Sequence, residues 1–356
     1  MFNVRHPLAI VVLSVLAAMM LDAVIFRSGL YLRLVPPVTT SAKLFSMVRA
    51  EEGRLPTSRP EVLITGNSRM EFGFSDRLFN EQFVEAPVRP IKVAVPGSDL
   101  KWWYYILKDI DPHQNRYTAI VLCVTSYQAE PLNEDAENWY YTVQSLAPIL
   151  RINQISDFVS TFDSGAPRER VWKKMIMVGR GTGLEVFIPA WRAVERLARG
   201  DASKNARTVE ALRVSNDGTI ISYPDHFTAF DKKEANLAFV RPPEGKAIEL
   251  TSRNAKFQER WLRRIADLYR GSLTRLIVVQ LPRWPFPLPS MTPIQTAPNL
   301  RNTLGDASNL TFVDDDYFSS LEEAKYFRDV FHVNDRGSAL LTERLGRYLV
   351  EELPRK

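Results

Sequence analysis

The sequence predicts an α/β fold in which a parallel sheet is covered by helices on both faces. Three short apolar runs support this: Glu61–Thr65, Ile91–Val95 and Ala119–Val124, each read as a buried strand. Gly66 stops the first and Pro96-Gly97 the second. Between them lie a helix-to-loop passage from Phe79 to Pro90 and a segment from Leu100 to Ile110 that sets Trp103, Leu107 and Ile110 on one helical face. Strand, helix, strand, helix, strand is the order of a parallel sheet.

From about Glu130 to Arg260 the alternation breaks. This stretch has helix-like segments at Trp172–Val178 and Glu185–Arg199, a polar patch at Gly200-Asp201-Ala202 and a candidate hairpin at Asn216-Asp217-Gly218. It reads as an insertion over 130–260 that caps or borders a site. A helix from about Asn254 to Tyr269 then leads back into strands at Leu276–Gln280 and Leu310–Val313. A closing helix over Arg336–Leu353 carries Leu340, Leu341, Leu345, Tyr348 and Leu349 as a core stripe.

Composition narrows the function classes. Of the 356 residues, 45% are hydrophobic and 24% charged, which is ordinary for a globular chain and argues against disorder. A net charge of +5 without any long Lys/Arg block gives nucleic-acid binding little support. The single cysteine, Cys123, sits inside an apolar run and reads as a buried structural thiol. There is no Cys/His cluster at zinc spacing and no phosphate-binding Gly-rich loop, so neither a metal nor a nucleotide cofactor is expected.

The N-terminus bears on location. A short tail, residues 1–6, precedes an apolar run from Pro7 to Phe26 that only Ser14 and Asp22 interrupt. Twenty helical residues reach about 30 Å, the hydrocarbon thickness of a bilayer. No small-x-small cleavage site follows, because Ala17-Ala18 is succeeded by Met19-Met20-Leu21. An uncleaved single-pass transmembrane anchor over 7–26 is the reading. Residues 27–60, mixed polar and broken by Pro36-Pro37, Pro56 and Pro60, read as a stalk. Arg27, Arg33, Lys43 and Arg49 after the anchor outnumber the basic residues before it, which by count favours a cytoplasmic domain. Large domains cross membranes largely regardless of charge, so the residues leave the side open.

The chemistry-bearing residues lie at the two ends of the soluble part. Gly66-Asn67-Ser68 follows the first strand, and Asp329-x-x-His332 precedes the closing helix. A serine hydroxyl is a poor nucleophile until a histidine removes its proton, and a carboxylate that fixes the imidazole tautomer improves the histidine. A small-residue turn from strand into helix aims backbone N–H groups at one point, which suits a developing oxyanion. In open α/β sheets, sites lie beyond the carboxyl ends of strands, where Ser68, Gly97, Thr125 and the loop after Gln280 all fall. Trp102 and Trp103 past Gly97, and Arg283-Trp284 beyond the fourth strand, are candidates for an aromatic rim against sugar rings. Core tryptophans are the plain alternative.

These residues resemble the SGNH (GDSL-type) hydrolase superfamily over about 61–128 and 274–353. The resemblance implies a flavodoxin-like three-layer α/β/α sandwich, with Ser68 as nucleophile, His332 as base and Asp329 as its orienting carboxylate. It also implies an oxyanion hole from the Ser68 and Gly97 amides. The family's third donor, an Asn after strand three, is replaced by Thr125-Ser126-Tyr127-Gln128, so Ser126 or Gln128 would have to substitute. Losing one such donor costs on the order of a hundredfold in rate. The anchor and this departure resemble the membrane-anchored branch that modifies extracytoplasmic polysaccharides, such as the D-alanyl transfer and alginate acetylation proteins. That branch implies a periplasmic domain, a carbohydrate acceptor and a membrane-bound O-acyltransferase as partner.

Each residue also has a plain reading. Ser68 could be a helix-start serine, His332 a helix-entry histidine, and Asn334 or Asp335 a simple N-cap beside it. Arg69 either brings positive charge to the site or pairs with a surface acid. His6, His113 and His226 have no comparable context. The expected organisation is therefore a tail, an anchor, a stalk and an SGNH-like domain over 61–353. The expected function is a serine O-acyltransferase or esterase acting on cell-surface polysaccharide. A small-ester esterase or lipase and a non-catalytic binding or assembly protein of the same fold are the alternatives.

Overall fold

The computed structural model describes residues 7–22, 24–25, 40–55, 57–124, 139–162, 165–176, 244–282, 301, 304, 307–314, 316–328 and 332–353. In chain order its elements are α1 (Pro7–Asp22), α2 (Thr40–Gly53), β1 (Glu61–Gly66), α3 (Ser68–Gly73), α4 (Asp76–Gln82) and β2 (Arg89–Ala94). There follow α5 (Leu100–Ile110), β3 (Ala119–Val124), α6 (Trp139–Leu146), α7 (Ile155–Ser160), α8 (Ala166–Ile176) and α9 (Glu244–Leu268). The chain closes with β4 (Arg275–Gln280), β5 (Leu310–Phe312) and α10 (Asp335–Glu352).

The chain divides into two compact units, Met1–Glu52 with Leu132–Leu212, and Gly53–Pro131 with Arg213–Lys356. In the first unit α8 packs against both α6 and α7. Its α1 is apolar on every side, and its large side chains face outward: Leu13 is 61% exposed and Met20 65%. Sixteen residues of helix reach about 24 Å, short of the roughly 30 Å of a hydrocarbon core. Among the described residues no helix is long and apolar enough to cross a membrane, so the expected span is not reproduced at its full length. The expected stalk contains α2, which forms where the chain between Pro37 and Pro56 is free of proline.

The second unit is built on a five-stranded parallel sheet of order β2-β1-β3-β4-β5. Its central strands are buried on both faces, as parallel strands between helix layers must be: every residue of β1 is buried. The order reverses at β1, since the chain steps one way from β1 to β2 and the other way from β2 to β3. With right-handed crossovers, that reversal sends α3 and α4 to one face and α5 to the other. On the first face Val62, Ile64, Val121, Ile277 and Val279 form one core with Met70, Phe74 and Phe79, and with Leu341, Leu345 and Leu349 of α10. The alternate residues Leu63, Ile120, Leu122 and Leu276 point the other way and are just as buried. α5 and α9 pack on each other and bury Ile106, Leu107, Trp261 and Ile265.

Helix ends are set by local side chains. Asn67, Ser75, Asp99 and Asn334 cap α3, α4, α5 and α10, each accepting a hydrogen bond from a backbone N–H of the first turn. The Lys92 ammonium, on edge strand β2, donates to the carbonyls of Glu71 (3.0 Å) and Phe74 (2.7 Å) and so closes the far end of α3. Pro90 is tolerated in β2 because an edge strand has one side without ladder bonds.

At the amino end of the sheet Glu61 is buried and hydrogen-bonded to Arg54 and Thr57, with Arg89 3.7 Å away. Burial alone would raise its carboxyl pKa, but the Arg54 guanidinium, the Thr57 hydroxyl and the Arg89 charge hold it below the usual carboxylate range. A depressed folded-state pKa stabilises above the unfolded value, about 4.3, and the gain is lost as pH falls through the folded one. Glu61→Gln, which replaces the charge-assisted hydrogen bonds to Arg54 by neutral ones, is expected to cost about 2 kcal/mol at neutral pH. In denaturant titrations the gap to the wild type should narrow steadily below about pH 4. A gap that stays constant down to acid pH would contradict the assignment.

Candidate active site

The strand order reverses at β1, and in open α/β sheets the carboxyl ends beside such a reversal are where a binding crevice forms; the turn that enters α3 stands there. Gly66 ends β1, and a Cβ on it would lie 2.5 Å from the Cβ of Met70, a core side chain. Only glycine lets the chain double back that sharply. Asn67 then caps α3: its side chain accepts from the Arg69 N–H at 3.0 Å, and its carbonyl accepts from Met70 and Glu71. Ser68 is the first helical residue and is half-buried, while Arg69 and Met70 beside it are buried. The strand–turn–helix geometry thus lifts one hydroxyl into the crevice.

The second turn is tied to the first. Val95-Pro96-Gly97-Ser98 closes by a Ser98 N–H to Val95 carbonyl bond of 3.0 Å, with proline second and a positive-φ glycine (71°) third, the arrangement of a type II turn. The Gly66 carbonyl accepts both the Val95 N–H (2.9 Å) and the Ser98 hydroxyl (3.0 Å). The Trp103 indole N–H in turn donates to Ser98 Oγ at 3.2 Å. Gly97 is in this way held against the strand end that precedes Ser68. The role of Ser98 was not foreseen from sequence; its signal was the Pro-Gly-Ser triplet beside a helix start.

His332 arrives from the opposite end of the chain. Its Nε2 lies 2.9 Å from Ser68 Oγ, a hydrogen bond between residues 264 positions apart. The loop that delivers it is closed at its base by an antiparallel bridge between Phe327 and Val333, and the Arg328 N–H donates to the His332 carbonyl at 2.9 Å. Asn334 locks that base. Its N–H donates to the Tyr326 carbonyl, its Nδ2 to the carbonyls of Lys325 (2.8 Å) and Phe327 (3.3 Å), and its Oδ1 accepts from Gly337 at the start of α10. The plain reading of Asn334 as an N-cap therefore holds, and the same side chain also ties down the histidine loop.

Asp329, the expected orienting carboxylate, lies outside the described residues, as do Ser126, Gln128, Arg283 and Trp284. Trp102 and Trp103 are described, and they depart from the expected aromatic rim. Both are essentially fully buried, at 0% and 2% exposure, because the apolar stripe of α5 faces inward, so neither offers a ring to a sugar. Cys123, one residue before the end of β3, is half-buried rather than fully buried as its apolar run suggests, and desolvation pushes its thiol far above the ordinary range, away from the reactive thiolate. Among the described residues no group of His, Cys, Asp or Glu could hold a metal ion. No protein-family model matches the chain, and no curated protein is significantly similar to it.

Replacing Asn334 separates its two functions. Asn334→Ala removes the cap and the carbonyl contacts together and is expected to cost about 2 kcal/mol. Asn334→Asp keeps the accepting oxygen and should recover roughly half of that loss. Equal destabilisation of the two variants in chemical denaturation would contradict the double role.

Proposed function

We propose that the chain is a serine-dependent acyl-transfer enzyme of the SGNH type, working through an acyl-Ser68 intermediate. The observation that carries this reading is the 2.9 Å contact between His332 Nε2 and Ser68 Oγ. That is hydrogen-bond reach for a general base and the nucleophile it deprotonates. In the reaction, Ser68 Oγ bonds to the acyl carbon while its proton passes to His332 Nε2. The tetrahedral oxyanion is held by the amides of Ser68 and Gly97. Collapse expels the leaving group, which takes the proton from the imidazolium. The acyl-serine then passes to a hydroxyl or to water by the same steps in reverse.

The strand order β2-β1-β3-β4-β5 supports a flavodoxin-like sandwich, the architecture that the SGNH resemblance implies. Asp329 remains the candidate for orienting the imidazole, and Ser126 or Gln128 for the third oxyanion donor. The outward-facing apolar side chains of α1 support membrane attachment, since water is a poor environment for so much clustered apolar surface. Attachment would hold the site beside a membrane-delivered acyl donor or a nascent glycan. On that basis the favoured acceptor is a sugar hydroxyl of a cell-surface polysaccharide, with a membrane-bound O-acyltransferase as the partner that supplies acyl groups.

Intact-mass analysis of the full chain in detergent, incubated with p-nitrophenyl acetate, tests the site. The wild type is expected to gain one acetyl group on Ser68, and Ser68→Ala none at that residue. Without an adduct or ester turnover in the wild type, the enzymatic reading would give way to a binding or assembly role.

A further inference from the structure

Phe72 stands one helical turn after Ser68 on α3, and residues four apart share a helix face. Its neighbours Met70 and Phe74 are core residues at 0% and 1% exposure, whereas Phe72 is half-buried and turned toward the site. The Phe72 and His332 rings meet edge to face, with centroids 5.2 Å apart and planes at 83°. The Arg328 guanidinium carbon lies 3.9 Å from the centroid of the same phenyl ring. Arg328 and His332 belong to one loop and are joined by the Arg328 N–H to His332 carbonyl bond. One aromatic ring on the nucleophile's helix is therefore gripped by two side chains of the histidine's loop.

We propose that Phe72 and Arg328 form a clasp that fixes the plane of the His332 imidazole, making Phe72 a positioning residue for proton transfer from Ser68. The inference rests on the Ser68–His332 reading above. In-plane hydrogen bonds at its ring nitrogens leave an imidazole free to rock about the line that joins them. An edge-to-face contact adds a second, non-collinear restraint. The guanidinium lies over the phenyl ring and limits its movement in turn. Small misplacements of a reacting group reduce rate out of proportion to the energy of the restraint that prevents them, up to about a hundredfold per ångström. The clasp would thus act on the acylation rate constant and leave substrate binding nearly unchanged.

The test is the pre-steady-state acylation of Ser68 by p-nitrophenyl acetate in full-length wild type, Phe72→Leu, Phe72→Tyr and Arg328→Met. Thermal unfolding and the NMR signals of the labelled His332 ring, assigned with His332→Ala, are followed in parallel. Phe72→Leu is expected to slow acylation by about tenfold or more with the apparent KM within about twofold. Phe72→Tyr, which keeps the ring, should restore the rate, and Arg328→Met should fall between. The His332 ring signals should shift in Phe72→Leu as the ring current disappears, and stay near wild type in Phe72→Tyr. A folded Phe72→Leu that acylates at the wild-type rate would overturn the proposal, as would a slow Phe72→Tyr. If the wild type itself is not acylated, the enzymatic reading fails while the clasp remains testable. The His332 signals then decide, since a shift in Phe72→Leu upholds the clasp and unmoved signals overturn it.

Discussion

The contact between Ser68 and His332 spans almost the whole second unit, and everything around it is arranged so that the two side chains arrive at the same place. A hydrogen bond contributes about 1 kcal/mol net, far too little to bring together residues 264 apart in sequence. The meeting is imposed by the sheet. β1 lies between β2 and β3 and so delivers its turn at the point where the strand order reverses. α10 packs against α3 and α4 and so must begin beside α3. The core formed by Met70, Phe79, Leu341, Leu345 and Leu349 fixes that packing, and each buried side chain of this kind contributes about 2 kcal/mol.

Within that frame, polar side chains make the final adjustments by doing two things at once. Asn67 caps α3 and thereby sets the first helical residue, which is Ser68. Asn334 caps α10 and closes the loop that carries His332. The Gly66 carbonyl is shared between the backbone of β2's exit and the Ser98 hydroxyl, which couples the Gly97 turn to the Ser68 turn. Two separate helix starts and one turn are thereby held in register by hydrogen bonds of these side chains and carbonyls.

Much of this was legible in the sequence because it is written locally. The runs Ala119–Val124 and Leu100–Ile110 match β3 and α5 residue for residue, since a strand buried on both faces reads as a continuous apolar run and a helix by its 3.6-residue period. β2 begins two residues earlier than its apolar run, at Arg89, because the Arg89 N–H bonds the Pro60 carbonyl and starts the ladder with β1 before the hydrophobic side chains appear. α9 begins ten residues earlier than its periodicity suggested, through a polar stretch with a glycine that no local pattern marks as helical. Trp102 and Trp103 admit a rim reading beside the commoner core one, and their full burial decides for the core. The grip of Arg328 and His332 on Phe72 could not be read at all, because its members come from opposite ends of the domain and share no motif.

The most direct test of the central claim is labelling of the full chain with a fluorophosphonate, which phosphonylates only a serine activated by a neighbouring base. The account predicts a single adduct on Ser68, formed at least about a hundredfold more slowly in His332→Ala. Labelling at another residue, or a rate at Ser68 that ignores the loss of His332, would contradict it.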